Sequence, residues 1–174
     1  MAEHHSALTR YRLPLGACLL ELPCGNLEES AVRAMIDFRA VRAISILPSA
    51  GIEKAATLMN SCRVHLLFVK DEKRQVLGIV TGTDLHEERL AAAMREQDVA
   101  RSGLVVAHVM TPADRLEALD FAEVSQAQLG RVVASLRASK RKHALVFDRD
   151  STGRTVIRGL FAASYLARYI GEPV

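Results

Sequence analysis

The order of landmarks in this chain repeats about 75 residues apart, and a repeated order restricts it to a tandem of one small unit. The first copy runs Met35-Ile36-Asp37, Ala43-Ile44-Ser45-Ile46, a helical stretch, Leu66 to Asp71, and Gly78-Ile79-Val80-Thr81-Gly82-Thr83-Asp84-Leu85. The second runs Val109-Met110-Thr111-Pro112, Leu116 to Leu119, another helical stretch, His143 to Asp148, and Gly159 to Leu166. The spacing widens only where the second copy carries longer loops, which is what duplication followed by loop insertion produces.

In each copy the hydrophobic period switches in the same order: strand, helix, strand, strand, helix. Ile44 and Ile46 alternate as a short strand, and Ile52, Ala55, Ala56 and Met59 share one helical face. Leu66 to Val69 reads as a buried strand, Lys70 to Arg74 as a turn, and Gln75 to Thr81 as the returning strand. A helix is expected from Thr83 or Asp84, running long through 86–101 until Ser102-Gly103 ends it. In the second copy Ser125 and Gln128 form an S-x-x-Q pattern that predicts a capping box ahead of Leu129, Val132, Val133 and Leu136. Gly171 is placed to cap the last helix. The fold class is therefore α/β, in the α+β arrangement of two β-α-β-β-α repeats. The expected divisions are an N-terminal arm over 1–29, a first repeat over 30–101 and a second over 102–174.

With 49% hydrophobic and 25% charged residues, the chain can bury a sizeable core. No apolar run approaches the roughly 20 residues of a membrane span, and the start lacks the pattern of a signal peptide, so a cytoplasmic protein is expected. Cys18, Cys24 and Cys62 form no C-x-x-C pair, which argues against a disulfide framework or thiolate zinc site. A formal charge of +3 and 5% aromatic residues do not suggest nucleic acid. The basic run Lys140-Arg141-Lys142 reads as the solvated end of a helix. His4, His5, His65, His86, His108 and His143 contain no H-x-x-x-H pair. No G-x-S-x-G, P-loop or G-x-G-x-x-G is present, so no catalytic residues and no enzyme activity are expected.

The Val109-Met110-Thr111-Pro112 and Gly78-to-Leu85 strings, in register with the repeated strand and helix order, resemble the signatures of the tandem CBS domain pair, or Bateman module. The resemblance implies two units packed sheet to sheet about a pseudo-two-fold axis, usually as a homodimer. It also implies an adenosine-containing regulatory ligand (AMP, ADP, ATP or S-adenosylmethionine), no required cofactor, and an effector protein that receives the signal. The residues agree with a ligand site: a strand ending at Thr81 before a helix leaves N–H groups and a hydroxyl for an anion. Asp84 is placed to accept from the two hydroxyls of a ribose. Plain helix capping by Thr81 and Asp84 is the competing reading. The resemblance assigns Asp84 to ribose, Thr81 to phosphate, and backbone of Ile44, Ser45 and Ile46 to the base, with Thr83 and Leu67 completing the candidate set.

The second copy departs from this pattern. Ala162 stands where Thr81 stands and Tyr165 where Asp84 stands, while Ser164 lies opposite Thr83. Ile36 in turn replaces the Thr111 of the first signature. One ligand per chain is therefore expected, around Thr81 and Asp84, with Thr111, His143 and Ser164 as weaker candidates in the second cleft. The alternative function is a protein-interaction and dimerisation module without a small-molecule ligand.

Overall fold

The structure, a computed structural model, describes residues 24–174. Most of the expected N-terminal arm, with His4, His5 and Cys18, lies outside that range. In the first copy the elements are β1 (Ile36–Asp37), β2 (Ser45–Ile46), α1 (Ile52–Cys62), β3 (Leu66–Lys70), β4 (Val76–Thr81) and α2 (Glu87–Gln97). In the second they are β5 (Thr111–Pro112), β6 (Ala118–Asp120), α3 (Phe121–Val124), α4 (Leu129–Ser139), β7 (His143–Arg149), β8 (Thr155–Ala162) and α5 (Ala163–Ile170).

The strands form two four-stranded sheets, ordered β2-β3-β4-β5 and β1-β8-β7-β6. β2 runs parallel to β3 across α1, and β6 parallel to β7 across α4, while each β3–β4 and β7–β8 pair is a hairpin. The outermost strand of each sheet comes from the other copy: β1 pairs with β8, and β5 with β4. Sequence periodicity does not anticipate this exchange, because a two-residue strand carries no pattern. Its cause is visible at two glycines. A Cβ on Gly78 would collide with the Thr111 carbonyl of β5, and one on Gly159 would lie 2.9 Å from the Ile36 carbonyl of β1. Only a residue without a side chain lets the exchanged backbone approach so closely.

Strand alternation then sorts the side chains into three layers. Leu67, Val69 and Val80 face α1 and α2, and Val146 and Phe161 face α4 and α5. Leu66, Phe68 and Ile79 meet Leu145 and Leu160 between the sheets. Each helix-side core is completed by the other copy's leading segment: Ala31, Ala34 and Met35 join the second, and Leu104, Val106 and Val109 the first. Fully burying a Leu or Phe contributes about 1.5–3 kcal/mol, so these segments hold the two copies together.

The helix ends differ from expectation. Gln128 precedes α4 but makes no side-chain cap, and the Ser125 hydroxyl donates to the Ala122 carbonyl at 2.9 Å. The capping box is not needed, since the free N–H groups of Leu129 and Gly130 donate to the Glu29 and Leu27 carbonyls, each at 2.8 Å. The segment after Thr81 is a 3-10 turn, Gly82–Leu85, and α2 starts at Glu87. That helix stops at Gln97, well short of Ser102, because Asp98 turns left-handed at φ 50°. Gly171 does close α5, at φ 77°.

Candidate functional site

Thr81 ends β4 opposite Leu66, and the 3-10 turn brings Asp84 back under it. Asp84 is only 9% exposed. Its Oδ2 accepts from the Thr81 N–H at 2.8 Å and from the Thr81 hydroxyl at 2.7 Å, and its Oδ1 lies 3.9 Å from the exposed Arg89 guanidinium. One carboxylate oxygen is thus fixed by the local turn. The other has a long ion pair alone among the described residues, which is the geometry of a preset acceptor. Capping and ligand contact are therefore not exclusive: the capping bonds use Oδ2 and aim Oδ1.

His65 lies against the turn that carries this carboxylate, and His143 is within electrostatic reach of both. The Gly82 N–H donates to the His65 carbonyl at 3.0 Å, and His65 Nδ1 lies 4.0 Å from where a Gly82 Cβ would be. His143 opens β7 opposite Ala162. Burial pushes its pKa below the usual histidine value, repulsion from His65 and Lys142 pushes it further, and Asp84 partly offsets them. A neutral imidazole near pH 7 can both donate and accept. The second copy's His143 is thus within electrostatic reach of the first copy's Asp84.

The remaining candidates are placed as follows. Thr83 and Ser164 are exposed, on the 3-10 turn and the first turn of α5. Ile46 and Leu67 point into the helix-side core, so only their backbone is open to a ligand. Thr111 sits in β5, paired with Ile79. Tyr165, in the Asp84-equivalent place, packs on the second core and stacks on Tyr169 at 6.1 Å. No carboxylate occupies the equivalent position of that copy.

Ile44 and Ser45 line a cleft of about 1220 Å³ that runs along the β2 edge between the sheets. Its floor includes Phe38 and Phe68, packed edge to face at 5.4 Å, and its rim carries Arg42, Lys70, Lys73, Arg74 and Arg154. Thr81 and Asp84 are not among its lining residues. In the sequence, Lys70 to Arg74 and Arg149 to Arg154 read as hairpin turns with no ligand role. The available signal was that both hairpin turns are basic.

Among the described residues, no cluster of three or more His, Cys, Asp or Glu side chains could hold a metal ion. None of their helices is long and apolar enough to cross a membrane.

This architecture recurs among solved structures. A CBS-domain containing protein from Agrobacterium tumefaciens superposes with a TM-score of 0.55 at 18% identity, covering 78% of this chain and 93% of that one. The fold is that of a CBS domain pair. The CBSX2 protein, solved in complex with AMP, gives a TM-score of 0.55 at 20% identity over 80% of this chain and 93% of that one. The CBS domain pair of MJ0100, solved with 5′-methylthioadenosine and S-adenosyl-L-methionine, gives 0.54 at 15% identity over 86% and 98%. No protein-family model and no curated protein matches the chain.

Proposed function

We propose that this protein is a regulatory CBS-pair module that binds one adenosine-containing ligand per chain between its sheets and passes the bound state to a partner protein. The observation that carries this reading is the Asp84 carboxylate, 9% exposed, with Oδ2 fixed by Thr81 and Oδ1 directed away from those bonds. A ribose diol offers the two donors that such an acceptor needs. Two proteins of this fold were solved with adenosine compounds, which supports the same ligand class here. A homodimer working in the cytoplasm is part of the same proposal.

A thermal-shift screen of AMP, ADP, ATP and S-adenosylmethionine tests it. A compound that binds only the folded form raises the melting temperature, by an amount equivalent to about 2.7 kcal/mol at a hundredfold excess over Kd. An unchanged melting temperature at millimolar concentration of all four would instead favour a protein-interaction module.

A further inference from the structure

Resting on that adenosine reading, we infer that the cleft along β2 selects a polyphosphorylated ligand over an uncharged or cationic adenosyl compound. Five cations line it: Arg42, Lys70, Lys73, Arg74 and Arg154. Not one Asp or Glu is among the lining residues. Among the described residues only Arg154 of the five has a carboxylate within ion-pair distance, Asp150 at 3.0 Å. Positive charge in excess of counter-charge around a concave, partly low-dielectric wall concentrates anions there.

The cations come from separated parts of the chain, and the fold brings them together. Lys70, Lys73 and Arg74 ride the β3–β4 hairpin, Arg42 leads into β2, and Arg154 is carried by the β7–β8 hairpin of the other copy. Arg154 is held in place: Asp150 accepts from its N–H at 3.1 Å, from its Nε at 3.1 Å and from the Thr152 hydroxyl at 2.6 Å. Arg74 is held in a left-handed turn at φ 67°, its N–H donating to the Asp71 carbonyl at 3.0 Å.

Beneath the cations the floor is apolar, with Phe38, Phe68, Ile44 and Ile157. A base stacks on such a floor while phosphates reach the rim. The volume of about 1220 Å³ exceeds the roughly 300–1,000 Å³ of ordinary small-molecule sites, so a ligand larger than a nucleoside monophosphate fits. Asp84 lies outside this lining, with the exposed Arg89 3.9 Å from its Oδ1.

Titration calorimetry of the full chain with ATP, AMP, S-adenosylmethionine and inorganic tripolyphosphate, at two salt concentrations, tests the inference. The expected order is ATP above AMP above S-adenosylmethionine, with ATP affinity falling as salt rises. The exposed pair Lys73→Glu and Arg74→Glu, made together, is expected to weaken ATP at least tenfold and AMP less than threefold. Each exposed ion pair contributes a factor of about 1.5 to 5, and reversing the charge doubles the free-energy effect. S-adenosylmethionine binding as tightly as ATP, or ATP binding unchanged by the double reversal, would overturn the inference. If no adenosine compound binds, the adenosine reading fails by itself. Tripolyphosphate binding that the double reversal abolishes would still uphold the anion preference, and absence of that binding would remove it too.

Discussion

Arg158 tests the account of how the exchanged strand is held. This side chain, 8% exposed, lies on β8 and pairs with Asp37 of β1 and, at 3.8 Å, with Asp148 of β7. Its guanidinium stands 4.6 Å over the Phe121 ring. One buried cation thus ties together strands from both copies. Arg158→Met keeps the stem and removes the charge, leaving both carboxylates without this cation; among the described residues the exposed Arg39, 3.6 Å from Asp148, and the backbone N–H groups of Arg39 and Arg149 partly compensate. Breaking a fully buried pair costs about 3–5 kcal/mol. Asp37 and Asp148 are each about a quarter exposed, at 27% and 25%, so water returns part of that. The expected cost is about 2–3 kcal/mol, or a melting temperature lower by about 5–10 °C. Urea unfolding of Arg158→Met, Asp37→Asn and the double variant measures it, with a coupling of at least about 1 kcal/mol expected between the two sites. A cost below about 0.5 kcal/mol for Arg158→Met, with no coupling, would refute the claim that this cation anchors β1.

Three further outcomes are expected. Gly78→Ala forces the new Cβ against the β5 backbone and should cost about 1–3 kcal/mol in chemical denaturation, whereas Gly51→Ala, at the N-cap of α1 with nothing within 4 Å, should cost less, about 0.5–1 kcal/mol, from the poorer cap alone. His143 has a lowered pKa in the folded state, so the neutral form is favoured there and the unfolded chain takes up the proton first. Its contribution is fully present above the ordinary value of 6.5 and is lost as pH falls through the lowered one; melting curves of the protein and of His143→Gln should diverge in that acid range, and parallel curves would contradict it. Asp150 is pulled down to about 2, chiefly by the Thr152 hydroxyl. In an NMR titration its carboxyl should protonate near that value, moving up towards the ordinary range in Thr152→Val.

The repeat order and most elements were legible because they rest on local periodicity. Leu129, Val132, Val133 and Leu136 share a stripe in the sequence and a buried face in α4. Gly171 marks a helix end for the same local reason. What was not legible depends on partners distant in sequence. Gln128 leaves α4 uncapped because backbone from Leu27 and Glu29 takes over the task. Asp98 ends α2 in a left-handed conformation that its residue type does not demand. The glycines that open each Gly-h-h string read as motif residues within a returning strand, yet their structural role is to admit a strand from the other copy. At the site, Thr81 and Asp84 were legible because their partners lie three residues apart. The approach of His143, and the meeting of Arg154 with the Lys70–Arg74 turn, needed the sheets to be packed first.

The most direct measurement is calorimetric stoichiometry with the best-binding adenosine compound, on the protein and on Asp84→Ala, with melting temperatures recorded for both. The account predicts one site per chain and an affinity lower by about tenfold to a hundredfold in the variant, the loss of a charged hydrogen-bond acceptor being about 1.5–3 kcal/mol. Two equal sites per chain, or full affinity retained in a folded Asp84→Ala, would contradict it.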